Sequence, residues 1–183
     1  MATRRSTVDG AAALAELKAR ITQDLDHRGQ EAWFFLFWDG VRGWEGTDPV
    51  FFVGLNPSEG RRTPFPSKAD QLFYRSLAAH GFADAHLTDV VKAKATNKHA
   101  PAMLRDQDLM ALHRAWFLEE VRIIQPRLVV ALTRKVESLL RDWIPGIPLA
   151  YVPHYAWAKR WGKEARFADA VAALAADLVG VTR

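Results

Sequence analysis

From residue 50 onward strand-like and helix-like segments alternate to the end of the chain. That alternation predicts an α/β fold, a three-layer αβα sandwich with a mostly parallel central sheet of four to five strands. Two further observations agree. Leu128-Val129-Val130-Ala131-Leu132 is apolar without a break, the pattern of a strand covered on both faces. The 183 residues, 49% of them hydrophobic, suffice to bury one full core, so residues 1–183 read as a single domain.

The elements follow in order. Leu14, Leu17, Ile21 and Leu25 recur at helical spacing and predict an amphipathic helix over Ala11 to Leu25. Trp33-Phe34-Phe35-Leu36-Phe37-Trp38 is short, apolar and aromatic and predicts a strand, with Asp39-Gly40 turning it into a hairpin or loop. Residues 1–49 therefore read as an N-terminal helix and edge-strand extension. Pro49 opens the strand Val50-Phe51-Phe52-Val53-Gly54, which ends in the turn-rich Asn56-Pro57-Ser58-Glu59-Gly60. A helix is predicted from Ser67, as N-cap, to His80, with Gly81 as its stop. His86 to Val91 is the next strand. A helix from about Asp106 to Ile124 ends at Pro126. After the Leu128 strand come a short helix from Arg134 to Trp143, a strand from Pro148 to Val152 and an alanine-rich helix from Lys163 to Leu178.

Composition narrows the function classes. The chain has no cysteine, which excludes disulfides, thiolate zinc sites and cysteine-ligated iron–sulfur clusters and fits a cytoplasmic location. No apolar run approaches the roughly 20 residues that span a bilayer. The basic N-terminus is not followed by the apolar segment of a secretory signal. The histidines are scattered without paired carboxylates at ligand spacing, so neither a metal nor another cofactor is expected. A monomer is expected.

Ligands of open α/β sheets sit beyond the carboxyl ends of the strands. The segments there are Arg61-Arg62, Lys92 to Lys98, Arg134-Lys135 and Lys159 to Lys163. Of their 16 residues ten are Lys or Arg and none is acidic, in a chain of net charge +4. One rim of the sheet is thus expected to be positive, and a positive rim attracts the serial phosphates of nucleic acid. Trp157 and Trp161 lie within or beside the last cluster, as aromatics that stack on bases or wedge into a duplex do.

Five segments, Val53 to Ser58, Pro64-Phe65 with Ala69 to Tyr74, Leu87 to Lys92, Ile124 to Leu132 and Val152 to Ala156, together resemble the uracil-DNA glycosylase superfamily, and most closely its mismatch-specific uracil/thymine branch. Val53-Gly54-Leu55-Asn56-Pro57-Ser58 resembles the first motif, a Gly-hydrophobic-Asn-Pro-Gly turn. Pro64-Phe65 with Ala69-Asp70-Gln71-Leu72-Phe73-Tyr74 resembles the branch's Pro-Phe and Ala-Asn-Arg-Phe-Trp helix. Leu87-Thr88-Asp89-Val90-Val91-Lys92 resembles its hydrophobic-Thr-Asn strand end, and Ile124 to Leu132 its Ile-x-Pro strand. Val152-Pro153-His154-Tyr155-Ala156 stands in the place of the second motif. The likeness covers about residues 50 to 180. Ser58 replaces the last glycine of the first motif, and the second motif lacks its Pro-Ser pair.

The resemblance implies the site. Cleaving an N-glycosidic bond in DNA requires an extruded base, hydrogen-bond donors for the departing base anion and a water at the anomeric carbon. Asn56 matches the family's catalytic position, where its amide oxygen would hold the water. Gly54, Leu55, Phe65 and Asp89 match base-binding positions, Phe65 as a stacking ring. Asp89 stands where the superfamily often has asparagine. Ionised, it accepts from a base that presents donors; protonated, it donates; it can also serve as general base or cap the following loop. His154 can donate to a developing oxyanion on the base or contact phosphate. Ser58, Arg61, Arg62, Lys92, Lys94, Trp157, Lys159 and Arg160 are the expected DNA contacts.

The expected function is a monofunctional DNA N-glycosylase of base-excision repair. It would flip a damaged or mismatched base, uracil foremost, from duplex or single-stranded DNA and hydrolyse its bond to deoxyribose. Two alternatives stand beside it: a catalytically inactive nucleic-acid-binding module of the same fold, and an enzyme acting on a small nucleotide or nucleoside.

Overall fold

The computed structural model describes residues 7–57, 66–95 and 100–181. Four strands, β1 (Asp48–Gly54), β2 (Ala85–Asp89), β3 (Leu128–Ala131) and β4 (Leu149–Tyr151), form one sheet in the order β2-β1-β3-β4. Every pairing is parallel, with Val53 opposite Thr88 on one side and Ala131 on the other. The helices are α1 (Thr7–Asp26), α2 (Lys68–Ala79), α3 (Ala100–Met103), α4 (Gln107–Ile124), α5 (Arg134–Trp143), α6 (Tyr155–Arg160) and α7 (Glu164–Val181). The three-layer α/β expectation holds.

The two-residue period of a strand decides which core each side chain joins. Phe51 and Val53 of β1 and Val129 and Ala131 of β3 face a core shared with α1, α4 and α5. Val50, Phe52, Leu128 and Val130 face the other way, into a core shared with α2, α6 and α7. Both faces are covered, which is why these strands read as unbroken apolar runs. Phe51 and Phe52 are fully buried on opposite faces, each contributing about 1.5–3 kcal/mol.

Helix ends follow the sequence signals. Ser67 caps α2 through a capping box in which its hydroxyl accepts from the Asp70 amide and the Asp70 carboxylate accepts from the Ser67 amide. Asp106 caps α4, and Gln125, with φ 55°, closes it in the left-handed region just before Pro126.

Two expectations fail. Residues 33–38 form no strand; around them are only single bridges, Ala32 to Ala93 and Trp38 to Val41. The side chains divide between the layers, Phe34 packing edge-on against Trp44 in one core and Phe35 against Phe73 in the other, while Phe37 is exposed. Burial of individual rings, not a ladder, holds this segment. The second departure is α6, a short helix between β4 and α7 where no element was predicted. Among the described residues no helix is long and apolar enough to cross a membrane.

Candidate active site

The strand order places the reversal of winding between β1 and β3, where open α/β sheets collect their ligands. A cleft of about 310 Å3 opens at that end of the sheet. It lies at the lower bound for small-ligand pockets. Asn56 and Pro57 enter it from the turn after β1, Asp89 from the end of β2 and His154 from the segment after β4. Chain positions almost a hundred residues apart therefore meet in one cavity.

Asn56 is oriented by its own amide nitrogen. Nδ2 donates to the carbonyls of Pro57 at 3.1 Å and Ala95 at 3.4 Å. Two carbonyl acceptors fix which end of the amide is nitrogen, leaving Oδ1 as the acceptor end. The turn itself is tied down by Val90, Val91 and Ala95, whose amides donate to the carbonyls of Gly54, Leu55 and Pro57.

Gly54 acts by absence. A methyl group on its Cα would overlap Oδ1 of Asp89, so only glycine lets that carboxylate lie against the β1 strand end. Leu55 departs from expectation: its side chain packs against the α1–α4 core and does not line the cleft. Alternation along the chain sends it to the opposite side from Asn56. Phe65 lies outside the described residues, as do Ser58, Arg61 and Arg62.

His154 is the N-cap of α6, its Nδ1 accepting from the Ala156 amide at 3.1 Å. A neutral imidazole that accepts at Nδ1 carries its proton on Nε2 and is a donor there. Its ring stacks on Tyr155 at 4.5 Å between centroids, and Tyr155 stacks on Phe73 at 4.6 Å.

Several lining residues were not singled out from sequence: Trp33, Phe35, Asp70 and Tyr155. Trp33 and Phe35 meet edge to face at 5.0 Å and supply aromatic surface inside the cleft. Nothing in the sequence ties them to a turn some twenty residues on. Asp70 and Tyr155 do lie in segments that carried the resemblance. Asp70 is fully buried and accepts from the Ser67 hydroxyl at 2.6 Å. With Asp89 it gives the cleft two carboxylates, and among the described residues no lysine or arginine lines it, where the sequence predicted a positive rim.

Lys92 is the clearest correction. It was expected at the DNA surface and is buried, its ammonium 2.7 Å from Glu120. The same ammonium donates to Thr88 Oγ1 at 2.6 Å and to the backbone carbonyl of Asp89. Glu120 also takes His86 Nε2 at 3.1 Å. Burial pushes the Lys92 ammonium below its ordinary value, and the Glu120 carboxylate works against that shift. His86, Thr88 and Lys92 reach this cluster because alternation points them toward α4, away from the cleft. The cluster thus braces the strand end that carries Asp89.

His113 closes the cluster, accepting from the Lys92 amide at 3.3 Å. Burial, then the Lys92 charge, push its imidazole from 6.5 to about 3. The unfolded chain therefore takes up a proton that the folded one refuses. Stability from this group is intact above pH 6.5 and declines as pH falls toward 3. The decline approaches about 1.4 kcal/mol per pH unit. His113→Gln is expected to flatten the acid limb of urea midpoints measured against pH; an unchanged limb would clear His113.

Among the described residues, three further rim cations are paired with glutamates. Lys94 is mostly covered and paired with Glu31, Lys159 pairs with Glu164 at 2.8 Å, and Arg134 binds Glu137 at 2.6 Å. Arg160 is exposed beside the Trp161 ring. Among the described residues no group of three metal-ligating side chains converges.

A family model described as the uracil DNA glycosylase superfamily matches residues 45–176. That span contains the whole sheet and every cleft residue except Trp33 and Phe35. Comparison with curated proteins finds no match.

Proposed function

The chain belongs to the uracil DNA glycosylase superfamily, whose function is DNA glycosylase-like, and from that premise we propose that it is a monofunctional DNA N-glycosylase. The observation that carries the reading is the convergence of Asn56, Asp89 and His154 on one cleft at the switch point of the sheet. Its motif residues resemble those of the mismatch-specific branch most closely.

In this reading a base leaves the stack and enters the cleft between the aromatic surface of Trp33, Phe35 and Tyr155. Asn56 Oδ1 accepts from a water and aims it at the anomeric carbon. The water oxygen bonds that carbon as the glycosidic bond breaks, and the bonding pair departs with the base. His154 Nε2–H donates to the base oxygen on which that charge gathers. The water's surplus proton passes to the Asp89 carboxylate or to solvent. Asp70 and Asp89 favour the cationic sugar that forms meanwhile, since opposite charge nearby stabilises an oxocarbenium. An acidic cleft suits this step and would repel phosphate, so the backbone is held outside.

Asp89 is read as an ionised acceptor. The Lys92 ammonium beneath it attracts the carboxylate, an interaction that also lifts Lys92. Such an acceptor takes the N3–H of uracil while leaving its O4 without a donor. Asp89→Asn would add that donor. The variant is expected to shift preference toward uracil, over bases with an exocyclic amine, by about tenfold or more.

The test is base release from oligonucleotides carrying uracil, hypoxanthine, xanthine or a mismatched base, with enzyme in excess. Release of one of these, abolished in Asn56→Ala, supports the activity. Intact substrates throughout, with binding that Asn56→Ala leaves unchanged, would instead indicate a binding module of the same fold.

A further inference from the structure

A second cleft, of about 450 Å3, lies beyond the carboxyl ends of β3 and β4, and His154 lines both it and the base cleft. Its other walls include Tyr151 and Trp157, with Arg134 and Arg166 at the same opening. The Arg134 guanidinium lies 3.8 Å over the Tyr151 ring, and the Lys163 ammonium 5.4 Å from the Trp157 ring. Trp157 is 39% exposed, a large apolar side chain that the core does not claim. Aromatic rings interleaved with cations are what a base and its phosphate require. Among the described residues the base cleft has the rings without lysine or arginine.

We propose that this second cleft binds the nucleotide next to the target, with its base unstacked, so that the favoured substrate is a single strand. The inference rests on the reading of the first cleft as a base site. In a duplex only the target base leaves the stack, while its neighbours stay face to face about 3.4 Å apart along the strand. Two cavities divided by one imidazole cannot receive bases from such a stack. They receive two bases from a strand with no complement, where unstacking costs little. Trp157, expected from sequence as a wedge into a duplex, is here the wall of a cavity and a platform for the neighbouring base.

The experiment compares affinities by fluorescence anisotropy at fixed salt. The probes are a uracil-containing single strand, the same strand in a duplex, and single strands in which the residue on either side of uracil lacks a base. The single strand is expected to bind at least about tenfold tighter than the duplex. Removing the neighbouring base on one side is expected to weaken wild type by about tenfold and to leave Trp157→Ala almost unaffected. Arg166→Ala, on an exposed face of α7, should weaken single-strand binding and lower its salt dependence by about one counterion. Equal or tighter duplex binding, or equal losses in wild type and Trp157→Ala on removing the neighbour, would overturn the proposal. Binding is read without base release. A protein that releases no base but shows the neighbour effect therefore loses the proposed activity and keeps this site.

Discussion

Asn56→Ala is expected to lower single-turnover base release by roughly 100- to 1,000-fold while leaving DNA affinity within about twofold of wild type. The reasoning is geometric. Asn56 Nδ2 is held by the carbonyls of Pro57 and Ala95, so the side chain is a fixed bracket whose Oδ1 is the acceptor end, which in the proposed mechanism holds the reacting water. An amide is no base, and the rate it supplies comes from placing the water, an effect confined to the transition state. Alanine removes the bracket and leaves the turn intact, because the backbone bonds from Val90, Val91 and Ala95 remain. Asn56→Asp is the informative companion. A carboxylate cannot donate to the two carbonyls, so it would lose the bracket although it gains basicity. A rate in Asn56→Ala within tenfold of wild type would remove Asn56 from the chemistry.

Lys92→Met is expected to cost about 3–5 kcal/mol of folding stability, read from urea midpoints. That is a large share of the roughly 5–15 kcal/mol by which a domain of this size is stable. The substitution leaves the Glu120 carboxylate buried beside His86 without its ammonium partner. It also removes donors from Thr88 Oγ1 and the Asp89 carbonyl. Most of the loss comes from the stranded charge, so neutralising both partners should be milder than the singles suggest. The Lys92→Met, Glu120→Gln double variant is expected to lose less than the sum of the two single variants. A loss below about 1 kcal/mol in Lys92→Met would show that the cluster relaxes or takes up water, and the bracing of Asp89 would go with it.

The uneven legibility of the site has a physical cause. Asn56, Asp89 and His154 were singled out through the resemblance of their motifs, and the ends of parallel strands bring them together whatever their distance in sequence. Leu55 and Lys92 were misread for a shared reason. Both sit in or beside segments that do line the cleft, and a one-residue step along an extended chain turns a side chain to the opposite layer. Composition marked Lys92 as one more basic residue at the rim. Only the position of Glu120 on α4, reached through the intervening loop, made burial of its charge feasible. Three described rim cations follow the same logic: Lys94, Lys159 and Arg134 each meet a glutamate whose proximity a count of charges does not contain.

The sequence by itself determined the layered α/β architecture, the helix caps at Ser67 and Asp106, the order of the strands in the chain and the turn that presents Asn56. These are properties of periods, caps and turns, set by neighbours within a few residues. Tertiary structure alone decided that Trp33 and Phe35 line the cleft without forming a strand, that the cleft is acidic, and that Lys92 lies beneath Asp89. Those outcomes depend on which groups from distant elements meet, because the free energy of a buried charge or ring is set by its partners in space.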